Sequence, residues 1–178
     1  MTADPRLAML ASYNQWMNRR VYDASATLTH DALVADRRAF FGSILGTLNH
    51  LVVTDTIWLK RFAAAPDAPA VLAVLDDTPM PTTLDAMPYA TLPSLRERRE
   101  WLDALILQWT AILTPSQLTA SLTYTSTRGA RFTRDVLGVV THLFNHQTHH
   151  RGQVTTLLSQ AGLDVGVTDL LAMPPDAD

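Results

Sequence analysis

Four stretches of this chain repeat apolar side chains every three to four residues, and four amphipathic helices that each need cover leave few architectures open. The first runs from Pro5 to about Leu28 and carries Leu7, Leu10, Ala11, Trp16, Met17, Val21 and Tyr22 with no Gly inside it. Asp4 stands where an N-cap is needed and Pro5 at the first helical position, where a missing N–H costs nothing. The second runs from about Arg38 to Ala64, with Phe41, Ile44, Leu48, Leu51, Val52, Ile57, Trp58 and Phe62 on a broad apolar face and a glycine pair, Gly42 and Gly46, that permits close packing. The third begins at a Ser94–Glu97 capping box and carries Leu95, Trp101, Leu102, Leu105, Ile106, Trp109 and Leu113 until Pro115 stops it. The fourth extends from about Asp135 to Gln160, with Gly162 just beyond as the C′ residue.

The connections are as informative as the helices. Between Pro66 and Pro93 lie six of the chain's ten prolines, so that interval reads as a long irregular crossover. From Leu118 to Phe132, β-branched and aromatic residues flank Arg128-Gly129, the pattern of a short hairpin. The expectation is an all-α fold: a four-helix bundle with a long crossover and a small β-hairpin before the last long helix, as a single domain over 1–171 with a short frayed tail, 172–178.

Composition narrows the chemistry. A chain of 178 residues with 47% hydrophobic and 17% charged residues has material for one core. A formal net charge of -3 offers no general attraction to nucleic acid or anionic lipid. No apolar run has membrane-span length, and Met1-Thr2-Ala3-Asp4-Pro5 lacks the order of a signal peptide, so a cytoplasmic protein is expected. The absence of Cys removes disulfides, thiolate nucleophiles and sulfur-ligated metals, leaving His and oxygen to hold any ion.

Four of the six histidines, His142, His146, His149 and His150, fall within nine positions of the fourth helix. At about 100° per residue, His142, His146 and His150 step by about 40° and stack on one face. The apolar set of that helix places His150 nearest the core and His146 next, which makes these two the preferred pair. An i, i+4 pair can share one ion, but two ligands make a weak site, and a third must come from another helix. His30 and His50 are the other candidates by type. Periodicity favours neither: the apolar face of the second helix centres about 150° from His50. Asp55 falls near the middle of that face, where a carboxylate needs a partner or a metal. The same four histidines also suit a pH-responsive surface.

Asn145-His146-Gln147-Thr148-His149-His150-Arg151-Gly152-Gln153, with Tyr13-Asn14-Gln15-Trp16-Met17-Asn18 and Leu48-Asn49-His50-Leu51, resembles the DinB-like family of metal-dependent proteins. The likeness continues through Thr123-Tyr124-Thr125, Gly129, Phe132 and Leu157-Leu158-Ser159-Gln160-Ala161-Gly162. It implies a bundle of unusual connectivity, frequently homodimeric, with a divalent ion held by three histidines that fall here on His50, His146 and His150. It also places Asp55 behind the ligands or at the pocket wall. Gln153, one turn beyond His149, is a further candidate for that second layer, either hydrogen-bonding a ligand or capping a bundle edge. Zn or Ni is the leading ion, with Fe and Cu as alternatives.

Three His with open positions make a Lewis-acid site rather than a closed structural one. The resemblance extends this to enzymes that move a low-molecular-weight thiol onto a small electrophile. Two other readings stay open: a non-catalytic metal-binding or stress-related dimer, and a bundle whose histidines meet no metal. Arg128, Arg131, Arg151, Trp16 and Trp58 are candidates for substrate contact, or equally surface and core residues.

Overall fold

The structure is a computed structural model that describes residues 4–175. The sequence readings for residues 1–3 and 176–178 lie outside the described residues.

Among the described residues six α-helices follow in order: α1 (Pro5–Ser25), α2 (His30–Val34), α3 (Ile44–Ala63), α4 (Leu92–Thr110), α5 (Pro115–Leu118) and α6 (Val136–Gln160). Between α5 and α6 lies an antiparallel hairpin, β1 (Ser121–Thr125) and β2 (Arg131–Asp135), with Thr123 opposite Thr133. The four long helices form the bundle. Helix α1 packs on α4 and α6, and α3 packs on the same two. The long helices that succeed each other as α1 and α3, and as α4 and α6, therefore stand across the bundle diagonal, unlike in a simple up-and-down arrangement. The expected all-α bundle with crossover and hairpin is what the chain adopts.

Local chemistry explains the boundaries. The Asp4 side chain accepts from the Arg6 amide, with Pro5 opening the helix as anticipated. Asp135 ends β2 and caps α6, its Oδ1 accepting from the Gly138 amide at 2.6 Å. Three expectations need correction. The first helix stops at Ser25 rather than Leu28. The second starts at Ile44, capped by Ser43, because Arg38 (φ 56°) and Gly42 (φ 72°) adopt left-handed conformations that no helix accepts. Gly42 thus serves a turn, while Gly46 does allow close approach: a Cβ there would meet the Phe41 carbonyl oxygen. The third long helix starts three residues early, capped by Thr91 rather than Ser94, since Pro93 is tolerated in a first turn. It ends at Thr110, and Pro115 opens α5 through a Thr114–Gln117 capping box.

The crossover carries its own anchor. Ala70–Leu75 forms a 3-10 segment whose buried Leu72 and Leu75 fill the space beside α3 and α4. Trp109 and Phe62 meet in the core at 4.6 Å between ring centroids. No helix among the described residues is long and apolar enough to cross a membrane.

Candidate metal centre

Helices α3 and α6 bring three imidazoles to one point. Nε2 of His50 lies 3.2 Å from Nε2 of His146 and 3.2 Å from Nε2 of His150. Among the described residues, His50, His146 and His150 are the one set of three His, Asp or Glu whose ligand atoms all fall within 4.8 Å of one another. The wheel objection to His50 dissolves in the packing. Every residue from Ile44 to Ile57 is buried, so this stretch of α3 has no solvent face on which a polar residue would be expected. Amphipathicity locates a polar side chain only on a helix with one wet side.

The far nitrogen of each ring decides what the near one offers. Nδ1 of His50 donates to the Leu84 carbonyl at 2.8 Å, and Nδ1 of His150 donates to Oε1 of Gln153 at 2.8 Å. A neutral imidazole with its hydrogen on Nδ1 has a bare lone pair on Nε2. Two such lone pairs face each other across 3.2 Å, which is repulsive unless a cation lies between them. A metal 2.0–2.1 Å from each nitrogen separates them by about 3.3 Å at the tetrahedral angle and about 2.9 Å at a right angle. The observed spacing falls between these values, so the donor set fits a divalent ion with positions to spare.

The surroundings keep the rings uncharged. Burial lowers His50 to about 4, outweighing the upward pull of the Leu84 carbonyl, with His150 adding to the fall. Burial lowers His146 to about 3, reinforced by His150 and His50, and it lowers His150 against the opposing Gln153 bond. Neutral imidazole is the metal-binding form. Phe41 lies flat on His50, centroids 3.8 Å apart at 20°, and presents its edge region to His150 at 5.5 Å.

The other sequence candidates have distinct places. Gln153 bridges two histidines, its Nε2 donating to Nε2 of His149 at 3.3 Å while its Oε1 orients His150. His149 is exposed, His142 packs edge-on to Trp58 at 5.2 Å, and His30 opens α2 at the surface. Asp55, 1% exposed, hydrogen-bonds to none of the three clustered rings. Its Oδ2 accepts from Arg99 Nη1 at 2.6 Å and from Gln147. That bond belongs to a buried network with members on all four long helices. Arg151 donates to Asn14, Asn18 Nδ2 donates to Asp103 Oδ1 at 2.9 Å, and Arg99 lies 3.0 Å from Asp103. Two arginines and two aspartates balance in the core, and Arg151, at 3% exposure, is therefore a core residue rather than a substrate contact. Arg128 and Arg131 are exposed, and Trp16 and Trp58 are half-buried.

Sequence reasoning missed Phe41 as a wall of the site and the Leu84 carbonyl as a support for His50. It also missed the network, which did leave a signal. Asn14 with Asn18, Arg99 with Asp103, and Gln147 with Arg151 are polar pairs one turn apart within apolar helices.

Comparison with known proteins identifies the family and the fold. The chain is 27% identical over 162 residues to Protein DinB of Bacillus subtilis (strain 168), covering 90% of this chain and 88% of that one. The crystal structure of a DinB-like protein from Bacillus cereus ATCC 10987 shares its fold, with a TM-score of 0.54 and 21% identity over 85% of this chain and 90% of that one. The description of the DinB family matches residues 2–176, and with nearly the whole length accounted for, the chain belongs to the DinB family.

Proposed function

We propose that His50, His146 and His150 hold one divalent ion and that the protein is a metal-dependent enzyme of the thiol-dependent S-transferase type, acting on a small electrophile. The observation that carries the metal reading is the pair of Nε2 lone pairs on His50 and His150, 3.2 Å apart with both Nδ1 hydrogens committed elsewhere. Zn or Ni suits three imidazoles best, and Fe and Cu remain compatible with the same donors. When bound, such an ion supplies a Lewis acid that makes a thiol or water more acidic.

The chain's own groups have definable parts. Leu84 and Gln153 hold two rings in the tautomer that presents Nε2, and Phe41 excludes water from the face of His50. We further read the protein as a homodimer. The family resemblance supports this, and Trp101 on α4, at 37% exposure with the Arg98 guanidinium over its ring, is an apolar side chain open to a partner.

Protein purified without a histidine tag should carry about one equivalent of metal by elemental analysis, falling sharply in His146→Ala and His150→Ala. A stoichiometry near zero in the unaltered protein would refute the metal reading. With metal present, a panel of low-molecular-weight thiols against small electrophiles tests the transferase. Silence across it would leave storage or sensing in its place.

A further inference from the structure

A second cleft lies farther along α3, where that helix meets the hairpin and the proline-rich crossover. It has a volume of about 450 Å³, and its cations are Lys60, Arg61 and Arg131. Among the described residues no acidic side chain lines it, although the chain as a whole carries a net charge of -3. Among the described residues none of these three cations is paired with a carboxylate. Thr123, Thr125, Ser126 and Thr127 complete the hairpin wall.

The cations are held without being satisfied. The guanidinium of Arg61 lies 4.4 Å from the ring centroid of Trp58 and 4.7 Å from that of Tyr124, and its Nη2 donates to the Thr125 carbonyl at 2.9 Å. That bond uses one of five N–H donors. Lys60 Nζ donates to the Leu75 carbonyl at 2.8 Å, which leaves two of its three hydrogens. Burial lowers the pKa of Arg61, the cost expected of a cation partly removed from water with no counter-charge.

We propose that this cleft binds a small organic anion, its carboxylate or phosphate group received by Lys60, Arg61 and Arg131. The volume is that of a small-molecule site. A polyanion would meet the net negative charge beyond the cleft, whereas a small anion meets only the cations. The inference stands apart from the metal reading. Arg61 lies about 16 Å along α3 from His50, and nothing in the cleft requires an ion at the histidines.

Titration calorimetry on metal-free protein at low ionic strength, with inorganic phosphate and succinate as separate probes, tests it. At least one probe should bind saturably, near one per chain. Affinity should fall about tenfold or more in the Lys60→Gln/Arg131→Gln double variant and be unchanged in His146→Ala. Arg61→Gln should weaken binding too. Because Arg61 also packs on two rings, the double variant decides if that protein fails to fold. Phosphate alone would identify a phosphate ester as the ligand class, and succinate alone a carboxylate. Non-saturating uptake of both, unaltered binding in the double variant, or binding lost with His146→Ala would each overturn the proposal.

Discussion

Nη1 of Arg99 donates to Oδ2 of Asp55 at 2.6 Å, with the two residues 1% exposed each. Removing one partner of a buried ion pair strands the other charge in a medium that cannot solvate it. Asp55→Ala should therefore destabilise the protein by about 3–5 kcal/mol in urea denaturation, leaving Arg99 with Asp103 alone. Asp55→Asn keeps the shape and should cost less. Folded Asp55→Asn should still bind one metal equivalent, since Asp55 hydrogen-bonds to none of the three imidazoles. Loss of metal from a folded variant would transfer Asp55 to the ligand set.

Gln153 has the opposite profile, near the surface of α6 and touching two histidines. Its Oε1 fixes the tautomer of His150, so Gln153→Ala should leave the denaturation midpoint nearly unchanged and weaken metal binding by about 10–100-fold. Gln153→Glu retains an acceptor at that position and should bind close to normally. Equal affinity in all three proteins would show that packing alone orients the ring.

What the sequence made legible follows from where information is local. The Asp4 cap and the i, i+4 spacing of His146 and His150 are short-range, and the structure repeats them. Resemblance points to His50 where periodicity opposes it, because a helix stretch buried on every side, as over residues 44–57, has no polar stripe to read. The start of α3 was misjudged because Phe41 fits the apolar rhythm of the helix it precedes, while Arg38 and Gly42 turn the chain away. The Asp55–Arg99–Asp103–Arg151 cluster joins residues from three helices, and no window on one helix reveals which charges will meet.

The pH dependence has a determinate sign. His50 falls to about 4 and His146 to about 3 in the folded protein, from an ordinary value near 6.5. On acidification the unfolded chain takes up protons first. Metal-free protein should hold this stability above pH 6.5 and lose it progressively as pH falls toward 4, seen as a declining urea midpoint. Metal affinity should behave differently, because the folded imidazoles are already neutral. Between pH 7.5 and 5.5 it should weaken by less than about tenfold, whereas three ordinary imidazoles would lose about a thousandfold. Chelator competition at both values separates the two cases.

Two helical glycines should respond to alanine with opposite signs, and the difference bears on the site. At Gly152 on α6 an added Cβ meets nothing within 4 Å, so Gly152→Ala should stabilise by about 0.5–1 kcal/mol through reduced backbone entropy in the unfolded chain. At Gly46 the same Cβ drives into the Phe41 carbonyl oxygen, and Gly46→Ala should cost about 1–3 kcal/mol as the loop is pushed off α3. Phe41 is the ring stacked on His50, so displacing it admits water to a histidine whose low pKa comes first from burial. The His50 titration followed by NMR in metal-free Gly46→Ala should therefore move up from about 4 toward the ordinary range, and Phe41→Ala should move it the same way without the steric clash. An unshifted titration in both variants would show that the crossover around Leu84, rather than Phe41, keeps that imidazole dry.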